Sequence, residues 1–426
     1  MSSPIRVGIA DDAQRYLATD RLVWFEEHLA APAEDLLASM PVDQRFAALT
    51  EAADGADGAD PATYPGIYGV RPMTLSVPGR GLPRALEVAG LTWVGVHPDH
   101  RRRGVLTAML RDHFERCRAQ GWSVSALHAS EPAIYGRHGY GLASHELTVT
   151  LGRGTDVAAP HLDATAARIG TRWGTLADAG VADRLQASEQ RAAAGVLGAI
   201  VGDLSFYAII AREFPELQRG REPRRVMFAV QDGVDVGHAI FHRTQRWEHG
   251  RPGGKVLVRR LAGTPAARLA LVRRLVDLDL TTSVQVDGVG LDDELLHWVR
   301  GPRGASEVEI FDSLWVRLVD VPRALAARSY AAPCDVVVEV DDEAAPWNTG
   351  CWRVAVDDRG TAEVTRCDRS AELRLPVRAL GAAYLGGGNL ATMQRAGLVE
   401  ELRNGAAVEL WRTMRTDSAP AAAIGF

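Results

Sequence analysis

The chain has 426 residues, enough for two to four domains at roughly 100–200 residues each. Hydrophobic residues make up 46% and charged residues 24%, which excludes wholesale disorder. The formal net charge of −6, from 48 basic and 54 acidic side chains, argues against a protein held on nucleic acid by phosphate neutralisation. Lys255 is the only lysine, so 47 of the cationic residues are arginine, and any arginine cluster has to be weighed against that background.

Met1-Ser2-Ser3-Pro4 lacks the basic and apolar regions of a secretory leader. No apolar run approaches the roughly 18 residues that a membrane span needs. Cys117, Cys334, Cys351 and Cys367 form no CxxC pair and no disulfide framework. The expected setting is a reduced cytoplasm, with neither membrane nor nucleic acid as a partner.

Apolar periodicity predicts a helix over residues 15–29 and a second over 39–53. Residues 52–61 are small and acidic and read as a loop. Strands are expected over 67–77, with breaks at Pro72 and Pro78, and over 84–96. Met109, Leu110, Phe114 and Cys117 recur at helical spacing within 107–119, and Gly121 stops that helix. Residues 123–128 and 147–151 read as strands, and the Gly/Ala/Pro-rich stretch at 152–160 as a linker. Beyond it, helices are expected over 176–194 and 204–214, then strands over 226–230 and 236–243 around the turn Asp232-Gly233. A strand over 255–262 and a helix over 265–278 complete a unit whose order echoes the first. After the break at Gly301-Pro302-Arg303-Gly304, strands are expected over 314–319 and 335–340 and helices over 322–329 and 379–385. Residues 417–426 have no period, and composition alone reads them as a frayed end.

The segment Leu91-Thr92-Trp93-Val94-Gly95-Val96-His97-Pro98-Asp99-His100-Arg101-Arg102-Arg103-Gly104-Val105-Leu106 carries the most chemistry. A strand ends at a proline, and a basic turn with one glycine opens a long helix. Unpaired amides and the dipole at a helix N-terminus bind phosphate, arginine adds bidentate hydrogen bonds, and Gly104 lets the backbone approach. The same residues also read as a surface turn made basic by arginine usage. Other motifs are weaker. His97, His100 and His113 lack metal-ligand spacing. Gly386-Gly387-Gly388 lacks the lysine of a phosphate loop, and Asp341-Asp342-Glu343 reads as a solvated loop.

Val96-x-Pro98-x-x-Arg101-x-x-Gly104 resembles the acetyl-coenzyme A loop of GCN5-related N-acetyltransferases, with Leu106 where glycine or alanine is usual. His100-Arg101-Arg102-Arg103-Gly104, Ile134-Tyr135-Gly136-Arg137-His138-Gly139-Tyr140-Gly141 and Leu314-Trp315-Val316-Arg317 together resemble the enhanced intracellular survival (Eis) family. The resemblance implies mixed α/β sheets in two tandem acetyltransferase-like domains followed by a sterol-carrier-protein-like α+β domain. On this sequence the expected boundaries are 1–150, 151–304 and 305–426, with the end of the last reaching the active site. In the middle unit Gly263-Thr264-Pro265 replaces the arginine turn, and its proline removes an amide that a pyrophosphate would use. One coenzyme site per chain is therefore expected.

By the same resemblance, Val94, Gly95 and Val96 hold the pantetheine arm of acetyl-coenzyme A through backbone groups. Arg101, Arg102, Arg103, Gly104, Val105, Leu106 and Thr107 surround the pyrophosphate, and Ser130 and Glu131 flank the thioester. Trp93 reads either as a core aromatic or as a wall of the acceptor pocket. A departing thiolate needs a proton, and a tyrosine of reference pKa about 10 can protonate a thiol near 8.5 if held at hydrogen-bond distance. A tyrosine between glycines is by itself more often packing. The family match puts the general acid at Tyr135 rather than Tyr140.

The acceptor ammonium must also lose a proton. Glu26, Glu27, Glu87, Glu131 and His128 are candidate bases with nothing in the sequence to separate them, and Glu26 is also a candidate acceptor ligand. The resemblance implies instead a terminal carboxylate on a final phenylalanine, here Phe426, preceded by Gly425 where the family can carry an acidic residue. Its reference pKa of about 3.3–3.7 requires desolvation or a water relay. The tail is then expected to run back into the first domain, its small residues threading a narrow channel. The expected activity is acetyl-coenzyme A-dependent N-acetylation, without a metal, of aminoglycoside-type polyamines or lysine side chains by a homohexamer. The competing readings are an acyltransferase for a cellular amine and a lipid- or small-ligand-binding protein with degenerate acetyltransferase domains.

Overall fold

The computed structural model describes residues 5–25, 31–49, 62–214, 218, 221–422 and 424–426. The first sheet runs in the order Arg6–Ile9, Arg45–Leu49, Gly66–Val77, Arg84–Val96, Val124–His128, Leu314–Leu318, Gly141–Leu142, with Ile200–Val201 added on Gly66–Val77. The second runs Glu307–Asp312, His145–Gly152, Thr281–Val289, Gly254–Gly263, Val234–Thr244, Arg225–Gln231, Gly170–Thr175. The third runs Ala362–Arg366, Gly350–Val356, Cys334–Asp341, Leu373–Pro376, Glu400–Glu401. These are mixed sheets: within both of the first two, a parallel pair brackets a long helix.

The first two sheets exchange strands across the expected boundaries. His145–Gly152, N-terminal to the linker, pairs with Thr281–Val289 in the second sheet. Leu314–Leu318, beyond the second unit, returns to pair antiparallel with Val124–His128 in the first. Boundaries at 150 and 304 are thus breaks in sequence that two strands cross in space. One apolar core follows from this weave, running from Met73 and Val88 through Leu185 and Phe228 to Val338 and Leu410.

The helix expected over 39–53 is replaced by the strand Arg45–Leu49. Its Phe46, Ala47 and Ala48 are buried between two partner strands, and a short apolar run has no periodicity that separates strand from helix. Residues 50–53 lie outside the described residues, as do 26–29 of the first predicted helix, which is described over Ala13–Trp24. The expected break at Pro72 is absent, and Gly66–Val77 is continuous. Pro72 lies between Gly69, paired with Arg45, and Thr74, paired with Val201, where that edge has no described partner strand. Proline is tolerated at such an open edge.

Arg317, within the Leu314-Trp315-Val316-Arg317 motif, ties the first sheet to the third unit. It is fully buried and donates to both carboxylate oxygens of Asp342 at 2.7 Å and to the His138 carbonyl at 3.0 Å. Asn348 Nδ2 also donates to Asp342, at 2.8 Å. Removing one partner of such a buried pair strands the other charge at a cost of about 3–5 kcal/mol. Asp342→Ala should therefore lower the thermal unfolding midpoint clearly. Asp335→Ala, which breaks an exposed pair with Arg353, should change it little in the same melting experiment.

Candidate active site

Strand Arg84–Val96 pairs with Val124–His128 only at Ala89↔Ser125 and Gly90↔Ala126. Beyond Gly90 the two strands part. The cause is visible on the opposite edge: the register with Gly66–Val77 jumps from Gly69↔Thr92 to Ile67↔Gly95, leaving an extra residue in Arg84–Val96. Trp93 occupies that bulge with φ of 53°, left-handed for a tryptophan, and stacks on Tyr16 at 5.7 Å between ring centroids. A bulge bends and twists the strand that carries it. The backbone groups of Val94, Gly95 and Val96 on the side toward Val124–His128 have no strand partner there.

The turn that follows alternates backbone hand. Arg102 has φ of 61° and Gly104 of 82°. Gly104 is the N-cap of helix Val105–Ala119, which has no side-chain cap and no acid in its first turn. The first-turn amides of Val105, Leu106 and Thr107 are thus open to an anion. Arg101, Arg102 and Arg103 are exposed and pair with no acid among the described residues. His97 and Asp99 shape the turn, with the Asp99 amide donating to His97 Nδ1 at 3.2 Å.

Between the diverging strands lies a cavity of about 310 Å³ lined by Asp20, Trp24, Leu91–Val94, Leu127, His128, Ser130, Tyr135 and Phe426. Burial, helped by the Glu131 charge, pushes the Tyr135 phenol up to about 12, with a hydrogen bond to Ser130 acting in the opposite sense. Glu131 itself is exposed. Tyr140 is differently employed: it is fully buried and shares a 2.8 Å hydrogen bond with Ser125, which in turn meets His113 at 2.9 Å. Arg317, through the His138 carbonyl, holds the loop that carries Tyr135.

The tail from Asp417 has no regular secondary structure and is nonetheless docked, which overturns the frayed-end reading from composition. Its last ring reaches the point where the strands part. A Cβ on Gly90 would lie 2.9 Å from Phe426 Cε2, and the ring meets His128 edge-on at 5.3 Å. Burial holds the His128 imidazole below its usual pKa, and its Nε2 has no hydrogen-bond partner among the described residues.

Of the residues named from sequence, Trp93, Val94, His128, Ser130, Tyr135 and Phe426 line this one cavity, and Gly95 to Thr107 continue from its edge. Glu26 and Glu27 lie outside the described residues. Glu87 does not line this cavity and borders a separate groove with Trp122 and Asp203. Sequence reasoning missed Asp20 and Trp24. Both sit on the first helix, and only the fold, which lays that helix over Gly95 through Val23, turns them toward the site. Among the described residues no group of three His, Cys, Asp or Glu side chains could hold a metal ion. No described helix is long and apolar enough to cross a membrane.

Two mixed sheets, each with a parallel pair that parts after a bulged strand, followed by an α+β unit, define a tandem GNAT acetyltransferase with a sterol carrier protein domain. Residues 64–143 and 209–318 match two acetyltransferase (GNAT) domain families, and 321–423 match the sterol carrier protein domain family. A protein of Streptomyces avermitilis named as an uncharacterized N-acetyltransferase is 39% identical over 85% of this chain and 86% of its own. N-acetyltransferase Eis of Mycobacterium tuberculosis is 32% identical over 80% of each chain. The crystal structure of Eis1 from Mycobacterium abscessus superposes with a TM-score of 0.79 at 26% identity, covering 99% of this chain and 100% of that one. The chain belongs to the Eis family of N-acetyltransferases.

Proposed function

We propose that the enzyme transfers the acetyl group of acetyl-coenzyme A to a primary amine of a polycationic acceptor of the aminoglycoside type, with lysine side chains as the competing class. The observation that carries the reading is the meeting, in one cavity, of the parted strands, Tyr135 and the Phe426 ring, beside an open helix N-terminus flanked by free arginines. The residues suit the coenzyme. The alternating turn at Arg102 and Gly104 and the first-turn amides fit a pyrophosphate, and the unpaired strand edge fits an amide-bearing arm.

Bound there, the coenzyme would supply an acetyl thioester. The cavity is also lined by Asp20, Trp24 and Trp93, an acidic and aromatic environment that favours a cation. The terminal carboxylate of Phe426 would take the ammonium proton. The freed nitrogen forms the N–C bond as the C–S bond breaks, and Tyr135 Oη gives its proton to the leaving sulfur. A net charge of −6 assists polycationic acceptors weakly. A homo-oligomer is part of the proposal, supported by Ile310 and Phe311, exposed on the edge strand Glu307–Asp312. Sedimentation of Ile310→Lys beside the unaltered protein tests it.

Charge reversal at Arg102 and Arg103 together should raise the Michaelis constant for acetyl-coenzyme A by about tenfold or more, since each lost charge-assisted contact is worth about 1.5–3 kcal/mol. The unfolding midpoint should stay in place because both side chains are exposed. An unchanged constant would make the turn mere surface. Mass spectrometry of a panel of aminoglycosides and lysine peptides tests the acceptor class. Acetylated aminoglycoside formed faster than acetylated peptide is the expected result, and the reverse order would move the assignment to proteins.

A further inference from the structure

The middle unit keeps the shape of a coenzyme site without its chemistry. Gly254–Gly263 and Thr281–Val289 pair in parallel up to Val258↔Val286, after which no pairing is made. Gly254–Gly263 also carries a bulge, its register with Val234–Thr244 jumping from Ile240↔Arg260 to Phe241↔Val258. The helix that follows is closed to phosphate. Thr264 accepts from the Ala267 amide at 3.3 Å, Pro265 has no N–H, and Arg268 is held by Asp293 and Glu294 at 2.6 and 2.5 Å. Arg260 is engaged by Glu189 at 2.5 Å.

The chain's own tail runs along the rim of this cleft and meets it at Ala421. The cavity of about 320 Å³ between the parted ends is lined by Leu261–Gly263 and Val286–Gly290 together with Ala421. The Ala419 amide donates to Asp292 Oδ2 at 2.7 Å, and the Ala421 amide donates to the Leu197 carbonyl at 2.8 Å. Three glycines crowd the same two tail residues. A Cβ on Gly198 would lie 3.1 Å from Pro420 Cβ, one on Gly387 3.1 Å from Pro420 Cγ, and one on Gly290 3.2 Å from Ala421 Cβ. Pro420 is buried, and the tail from Ala422 ends at Gly90 of the first sheet.

We propose that the rim of the middle unit's vestigial coenzyme cleft is the guide that registers the tail. Gly198, Gly290 and Asp292, with Gly387 from the third unit, act as positioning residues that fix Pro420–Ala421 so that Phe426 arrives between the parted strands. This rests on the reading of Phe426 as the base. A Cβ at 3.1–3.2 Å pushes the tail by a few tenths of an ångström and a longer side chain pushes it further, and a displacement of about 1 Å at a reacting group can cost about 100-fold in rate.

The test is a set of variants at Gly290, which touches neither coenzyme nor acceptor in this account. Gly290→Ala should lower kcat severalfold and Gly290→Leu by about 100-fold, with the Michaelis constant for acetyl-coenzyme A unchanged and the protein still folded. Removing the opposing methyl group should undo the first: Gly290→Ala combined with Ala421→Gly should recover most of the lost kcat. Carboxypeptidase supplies a readout independent of turnover, and Phe426 should be released faster from Gly290→Leu than from the unaltered chain. A full kcat and an unchanged release rate in Gly290→Leu would overturn the guide. If deletion of Phe426 leaves kcat intact while Gly290→Leu still speeds its release, the base assignment fails and the guide stands.

Discussion

Deleting Phe426, or adding residues after it, should lower kcat by about 10²–10⁴-fold, the range of a lost acid or base, while acetyl-coenzyme A binds almost as before. In the proposed function the two effects separate, because the coenzyme is assigned to the turn 101–104 and the edge of Arg84–Val96, whereas Phe426 lines the cavity between the parted strands. The ring is partly buried against the core, so it contributes a share of the roughly 1.5–3 kcal/mol that full burial of an aromatic side chain is worth. The ring's seat is specific: Gly90 leaves the space that a side chain would fill. Steady-state kinetics and coenzyme titration on the truncated and extended chains provide the check. If turnover survives both changes, His128 becomes the base to examine, since its Nε2 has no hydrogen-bond partner among the described residues, its ring meets Phe426, and burial lowers its pKa.

The second large effect is at Tyr135. Tyr135→Phe removes only the hydroxyl proposed to protonate the leaving thiolate, so kcat should fall by about 10²–10⁴-fold with little change in coenzyme affinity. Tyr140→Phe breaks a buried hydrogen bond to Ser125 instead, and should cost stability of about 0.5–1.5 kcal/mol and much less turnover. The pH profile offers a separate reading. An ordinary tyrosine is half ionised near pH 10, whereas burial and the Glu131 charge push Tyr135 to about 12. Tyr135 is therefore still protonated there, and, if it is the general acid proposed, kcat should show no loss assignable to tyrosine ionisation up to that pH. An alkaline limb near 10 that Tyr135→Phe abolishes would contradict the shift. A drop in kcat smaller than about tenfold, with chemistry rate-limiting, would remove Tyr135 from the role altogether.

How much of this was legible in the sequence depended on whether the information was local. The turn His97–Gly104 and the helix after it could be read directly, because a proline, a glycine at positive φ and apolar residues at helical spacing act within a few residues. The hairpin at Asp232-Gly233 was equally local. Arg45–Leu49 was misread because its character comes from two partner strands far away in sequence. The exchange of His145–Gly152 and Leu314–Leu318 between sheets has no local signature, although each strand was visible on its own. At the site, Tyr135 and the arginines carry motif spacing, whereas Asp20 and Trp24 are ordinary residues of an amphipathic helix until tertiary packing aims them. The tail is the extreme case. Its alanines and Gly425 give it no period and so look disordered, while Pro420 and Ala421 fit only because Gly198, Gly290 and Gly387 leave them room.

Release of free thiol from acetyl-coenzyme A, followed with and without an aminoglycoside and matched to the mass of the product, tests the central assignment most directly. The account predicts thiol release that depends on the amine and equals the acetyl groups gained by the acceptor, with loss of both in Tyr135→Phe and in the chain lacking Phe426. No amine-dependent release from a folded protein, alongside tight lipid binding, would contradict it and return the chain to a binding role built on its sterol carrier domain.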